Sequence, residues 1–277
     1  MWLNPTAVPE GMNLKMINHP SRLSLLYPAI DLMPKDQVVI DAGCGTGLLG
    51  LRSLSKGAKF VYFVEQDVQM FHILEETLSN TLDNKKYKLI HSDIENLDRN
   101  DFVNNLDPTY MISEFFGPTL FDEGYVSYTR YIRSLFPNIS FIPEIFETEV
   151  FLSDVDYKDP IWPQSNVEVL EHFRLMYSQK GFTNSYVREE VQPHNPVYQG
   201  SIVYNADTQE FSNKVFLEHV GEERLIFCHN TIKHASYKQN WNWNGWYMYP
   251  SDSQKKYAVE ISVDPTTLYY PLLNEVI

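Results

Sequence analysis

Two groups of residues in this chain have the types and spacing to do chemistry. Asp41, Gly43, Gly45 and Gly47 spell D-x-G-x-G-x-G directly after the β-branched run Val38, Val39 and Ile40. Glycines let a ligand approach the backbone closely, and a helix starting beyond them attracts negative charge. An acid closing the strand offers the same turn a partner for a cation. Glu114 and Glu123 form the second group, nine positions apart with Gly117 and Pro118 between them. Such a loop can fold back and present both carboxylates to one ligand, and two close carboxylates are costly unless something cationic lies between them. Taken alone, both acids also read as charges on a loop surface.

The elements that position these residues follow from patterning. Val38 to Ile40 suits a parallel strand buried on both faces, closed by Asp41, and Leu48 to Leu54 reads as the start of a helix. Phe60 to Val64 is a second apolar strand ending in Glu65, 24 residues after Asp41. Val68 to Leu82 predicts a helix with Phe71, Leu74, Leu78 and Leu82 near one face. Tyr87 to Ile90 and Tyr110 to Ser113 read as third and fourth strands, with His91–Leu97 and Glu114 at their carboxyl ends. Upstream, Met16 to Leu32 predicts one or two helices interrupted at Pro20 and Pro28.

Strands alternating with helices predict an α/β fold with a mostly parallel, Rossmann-like sheet. Ligands of such sheets bind outside the carboxyl ends of the strands. Beyond this half, SIVYNA, NKVFLEHV, ERLIFCHN and YAVEISVD alternate apolar with polar residues and read as antiparallel strands, while Val167 to Tyr177 has a helical period. The expected organisation is an N-terminal arm with helices over 1–33, a Rossmann-like cofactor domain over 34–145, and an antiparallel β-barrel-like domain over 146–277. A helical arm is expected near 160–180.

Composition narrows the classes. A net charge of −14 argues against a general affinity for DNA and suits either a basic partner or plain solubility. No apolar run of about 18 residues and no basic, apolar leader is present, so neither a membrane span nor a signal peptide is expected. Cys44 and Cys228 make no disulfide framework, and a reducing cytoplasm fits. The histidines show no metal-ligand spacing, so no metal is expected.

The glycines can be read in two registers. Gly45, Gly47 and Gly50 satisfy the dinucleotide fingerprint G-x-G-x-x-G, whereas Asp41, Gly43, Gly45 and Gly47 resemble motif I of class I S-adenosylmethionine (SAM)-dependent methyltransferases. In the second register Asp41 suits the ammonium of an amino-acid cofactor. Glu65 is placed to accept both ribose hydroxyls, its alternative being a strand-end charge in solvent. Asp93, Ile94 and Glu95 could flank an adenine ring, and either acid could instead cap a nearby helix.

Ser113 to Glu123, S-E-F-F-G-P-T-L-F-D-E, resembles the double-glutamate loop of protein arginine methyltransferases in the spacing of its acids, in Gly117 and in the Leu120-Phe121 pair. Met16 and Arg22 resemble that family's methionine near the cofactor sulfur and its arginine for the cofactor carboxylate, and Phe141 to Leu152 resembles its junction between sheet and barrel. The likeness runs from about Met16 to Leu152. It implies SAM as cofactor, S-adenosylhomocysteine as product, and a cofactor site of Met16, Arg22, Asp41, Gly43, Gly45, Gly47, Leu48, Glu65, Asp93, Ile94, Glu95 and Glu114. It further implies that Glu114 and Glu123 hold and activate an arginine side chain of a basic protein or peptide. The family's barrel walls a peptide groove, and its arm makes a homodimer.

The chain also departs from that pattern. The Tyr-Phe-x-x-Tyr signature is missing from the first fifteen residues. The family's Thr-His-Trp loop has its nearest match in Gln239 to Pro250; if Trp243 takes the tryptophan's place as a substrate contact, Asn242 replaces the histidine and His19 its aspartate partner. A stacking role for the Trp241–Tyr249 aromatics competes with barrel core. Rival classes are a DNA amino-methyltransferase, for which Asp107-Pro108-Thr109-Tyr110 lies on the wrong side of the strand, a NAD oxidoreductase, a methyltransferase of a small cationic molecule, and a non-catalytic scaffold.

Overall fold

The computed structural model describes residues 20–115, 123–154, 185–187, 194–212, 214–217, 224–235, 237–248, 256–263 and 269–276. In its parallel half, α1 (Pro20–Asp31) precedes β1 (Val38–Ala42), α2 (Leu48–Ser55), β2 (Phe60–Glu65), α3 (Val68–Thr81) and β3 (Tyr87–His91). Two short 3₁₀ turns, Ile94–Asn96 and Arg99–Asp101, lead to β4 (Tyr110–Ser113), α4 (Tyr125–Leu135) and β5 (Ser140–Ile142). The strands pair in parallel in the order β3-β2-β1-β4-β5. The chain therefore reverses its winding direction between β1 and β4, which opens a crevice at their carboxyl ends. The glycine turn and Glu114 both sit there.

The β-branched and aromatic residues of β1 and β2 are buried along both strands, as expected of central parallel strands. Three expectations need correcting. Helix α1 runs unbroken through Pro28, because Leu26, Ala29 and Ile30 are sunk into the core and outweigh one missing N–H. Asp41 does not end β1: the strand continues to Ala42, paired with Val64 and Ser113. The buried face of α3 is built from Met70, Leu74 and Leu78, while Phe71 turns sideways to stack on His91 at 5.0 Å.

The antiparallel half comprises β6 (Ile145–Asp154), β7 (Ser185–Val187), β8 (His194–Asn205), β9 (Glu210–Ser212), β10 (Lys214–Leu217), β11 (Arg224–His234), β12 (Tyr237–Met248), β13 (Lys256–Val263) and β14 (Tyr269–Val276). The four alternating segments hold strands β8, β10, β11 and β13. They belong to a sheet ordered β7-β12-β11-β6-β8-β9 and a smaller one ordered β10-β13-β14. The sheets meet where Gly200 of β8 faces Val215 of β10, so closely that a Cβ on Gly200 would lie 3.1 Å from a Val215 methyl. Residues 239–248, matched above to a loop, are strand, and their pairing with β11 slips between Cys228 and Asn230. Trp243 lies in this bulged stretch. The arm expected near 160–180 lies outside the described residues. Among the described residues no helix is long and apolar enough to cross a membrane.

Candidate active site

The turn after β1 is made by three glycines in the left-handed region, Gly43 (φ 59°), Gly45 (φ 51°) and Gly47 (φ 74°). Side chains rarely adopt this conformation, which is why the turn is written in glycine. Gly47 is the N-cap of α2 and has no side chain to offer the helix. Asp41 supplies the cap from the strand: its carboxylate accepts the Gly50 N–H at 2.7 Å and is 1% exposed. Burial pushes its pKa up to about 8 against the help of that N–H, and the charge of Glu65 pushes the same way. Asp41 thus faces the first turn of α2 from inside the protein.

Glu65 is no solvent charge. At 7% exposure it accepts the Gly45 N–H on Oε2 and the Asp67 N–H on Oε1, both at 2.8 Å, and so ties the β1 turn to the end of β2. Each oxygen keeps a lone pair for a hydroxyl donor. Asp67 in turn caps α3 through Gln69 and Met70. Between the glycines, Cys44 is buried, and burial with the nearby charges of Asp41 and Glu65 holds its thiol well above the ordinary range. That thiol is unreactive, and its small size is what the turn uses.

The turn has a covered side and an open side. A Cβ on Gly43 would lie 2.5 Å from the ring of Phe115, the residue following Glu114, whereas a Cβ on Gly45 would meet nothing within 4 Å. Phe115 packs on Tyr128 of α4, ring centroids 4.9 Å apart. Helical side chains lean toward the N-terminus. Tyr128 accordingly lies over Gly124, where a Cβ would come within 3.0 Å of its ring. Burial and the charges of Asp93, Glu95 and Glu123 push the Tyr128 pKa up to about 12.

One aromatic pair therefore brings several of the expected segments together. The β1 turn, the Asp93–Glu95 turn after β3, the end of β4 and the start of α4 surround Phe115 and Tyr128. Asp93 caps its 3₁₀ turn through the Glu95 N–H at 2.9 Å, and Ile94 is buried beneath. Glu114 is half-buried and Glu123 exposed. Leu48 opens α2 beside the turn. Arg22 lies in α1, whose C-terminal part packs on α2 through Asp31, ion-paired to Arg52 at 2.6 Å and Lys56 at 2.9 Å. Met16 and His19 lie outside the described residues. The patterning missed Phe115 and Tyr128; the signal was the glycine four residues before a tyrosine in the first turn of a helix. Among the described residues no three His, Cys, Asp or Glu side chains are grouped to hold a metal.

Residues 25–120 match a family model described as conserved hypothetical protein 95. Over 106 residues the chain is 34% identical to protein arginine N-methyltransferase 1 of Chlamydomonas reinhardtii, covering 36% of this chain and 27% of that one. Over 60 residues it is 40% identical to ribosomal protein L11 methyltransferase of Psychrobacter arcticus, covering 21% of this chain and 20% of that one. The chain thus spans less than a third of the length of each relative. The crystal structure of PRMT6-SAH superposes with a TM-score of 0.70 at 17% identity, over 97% of this chain and 100% of that one. This chain has the protein arginine methyltransferase fold. It resembles class I methyltransferases in sequence and protein arginine methyltransferases in overall architecture.

Proposed function

We propose that this protein is a SAM-dependent N-methyltransferase that methylates a guanidinium nitrogen. The observation that carries the reading is the meeting of the glycine turn, the Asp93–Glu95 turn and both glutamate supports around Phe115 and Tyr128, at the reversal point of the sheet. The residues fit the cofactor. The open side of Gly45 leaves room against the backbone, and the buried Glu65 carboxylate has lone pairs left for ribose hydroxyls. Arg22, Met16, Leu48, Asp93 and Ile94 complete the proposed cofactor site; Asp41 supports it from behind by holding α2. SAM supplies, when bound, a methyl group on a cationic sulfur.

The two glutamates do the rest. A guanidinium stays cationic at neutral pH, so bringing it to a second cation is costly, about 4 kcal/mol at 4 Å for an effective dielectric near 20. Glu114 and Glu123 offset that repulsion, hold the planar fork in bidentate hydrogen bonds and take up the proton the nitrogen loses. Holding the acceptor in line supplies much of the rate. The net charge of −14 supports a basic, arginine-containing protein or peptide as acceptor. The free, buried Cys44 and Cys228 support a cytoplasmic setting. We retain the division at 34 and 146 and a homodimer as parts of the same proposal.

The test is calorimetry with SAM and S-adenosylhomocysteine, then radiolabelled methyl transfer to an arginine-rich peptide pool. Glu114→Gln is expected to leave SAM affinity near wild type and to lower turnover by roughly 100-fold or more, as expected for losing a charged group at the reacting centre. Loss of SAM binding in the same proportion would refute the role of Glu114. SAM binding without transfer to arginine would move the acceptor to a small cation or the chain to a scaffold. No binding would return the turn to a dinucleotide or to plain structure.

A further inference from the structure

The two glutamates hang from different supports. Glu114 follows β4, which is fixed between β1 and β5 in the parallel sheet. Glu123 precedes α4, joined to it through Gly124 at φ 83°. Helix α4 is held from both halves: on the parallel side Tyr128 packs on Phe115 and the Tyr131 hydroxyl donates to the Leu97 carbonyl at 2.6 Å, and on the other side the antiparallel half grips it. Tyr125 is fully buried, its ring 4.2 Å from that of Phe146 in β6, and its hydroxyl donates to the Pro143 carbonyl at the junction. One turn on, the Thr129 hydroxyl lies 2.9 Å from the Tyr125 carbonyl and 2.6 Å from the Tyr204 hydroxyl of β8. Either hydroxyl can be the donor across the boundary. A turn further, Arg133 reaches the Ala206 carbonyl at 3.3 Å and Asp207 at 3.5 Å, and its guanidinium lies 4.9 Å from the centre of the Phe141 ring. Residues 125, 129 and 133 share one face of α4.

We propose that Tyr204 and Thr129 are positioning residues for the methyl acceptor: their buried hydrogen bond sets the rotation and height of α4, and through it the separation of Glu123 from Glu114. The proposal rests on the guanidinium-methyltransferase reading above. The Thr129 hydroxyl bonds to the Tyr125 and Val126 carbonyls of its own helix and to Tyr204, so the pair acts on the reaction through the helix. Both are fully buried, in surroundings where a hydrogen bond is directional and costly to leave half made. The antiparallel half is thereby more than a wall for substrate. It holds one of the two carboxylates in register with the other.

The experiment compares Tyr204→Phe, Thr129→Val and the double variant, which keep ring and branch and remove only the hydroxyls. Three quantities are read: SAM affinity, kcat and KM for the arginine peptide, and amide exchange across residues 110–130. The expected result is SAM affinity within about twofold of wild type and kcat down by roughly tenfold, since a misplacement of about 1 Å costs on the order of 100-fold. Exchange should rise at 123–129 and stay unchanged at 110–113. The double variant should be no worse than the more damaged single, because both singles break the same Thr129–Tyr204 bond, Thr129→Val losing the bond to its own helix as well. Equal loss of SAM affinity and kcat, additive effects, or wild-type exchange at 123–129 would overturn the proposal. A wild-type protein that binds no SAM would sink the functional reading instead, while the exchange measurement, which needs no turnover, still decides the latch.

Discussion

Glu65→Gln isolates the clamp that joins the two turns of the cofactor site. The carboxylate accepts two backbone N–H groups, one on each oxygen, at 2.8 Å and nearly out of water. Glutamine has one acceptor oxygen, so its amide nitrogen must oppose either Gly45 N–H or Asp67 N–H. One charge-assisted bond is lost, about 1.5–3 kcal/mol, and a buried donor is left facing a donor. With partial relaxation the net loss is about 2–4 kcal/mol, which lowers the melting temperature by roughly 3–7 °C for a chain of this size. Thermal unfolding followed by circular dichroism at pH 7 reads it directly, with Glu75→Gln on the exposed face of α3 as a neutral control. On the proposed function, SAM affinity should also fall by about tenfold or more, because ribose hydroxyls lose an ionised acceptor. A melting temperature within about 2 °C of wild type would refute the reasoning, since it would mean the two short bonds hold nothing together.

Two further outcomes follow from the same turn. Asp41 has its folded pKa raised to about 8 from an ordinary carboxylate value near 4, so the folded state holds this proton more tightly than the unfolded chain. The stability this contributes is full below about pH 4 and is lost as pH rises through about 8. Melting temperatures measured from pH 5 to 9 should therefore fall more steeply in wild type than in Asp41→Asn, whose amide oxygen still accepts the Gly50 N–H; parallel curves would count against a neutral Asp41. Gly43→Ala should be clearly worse than Gly45→Ala. Both incur left-handed strain of about 1–2 kcal/mol, but only Gly43 has the Phe115 ring 2.5 Å from the new methyl. Equal denaturant midpoints for the two variants would mean that Phe115 does not cover the turn.

Much of the parallel half was legible because its signals are local. Val38–Ile40, the glycines and Asp41 announce a buried strand and a tight turn within a dozen residues, and Leu48 to Leu54 reads as the helix after it. The alternating runs beyond residue 200 announce strands by the same short-range rule. Periodicity says less where burial overrides it, as at Pro28, which sits inside a helix held by Leu26 and Ile30.

The sequence by itself determined that a glycine turn follows one buried strand and that carboxylates stand at the ends of two others, Glu65 and Glu114. Only the tertiary structure decided what those groups face. Asp41 turned inward to the Gly50 N–H, Glu65 bound two turns together, and Tyr128 closed over Gly124 to meet Phe115. Tyr204 reaches Thr129 across 75 positions of sequence. Residue type and spacing fix what a side chain can donate or accept within its own element, whereas its partner is chosen by how separate elements pack, and that choice is made by the burial of the whole core.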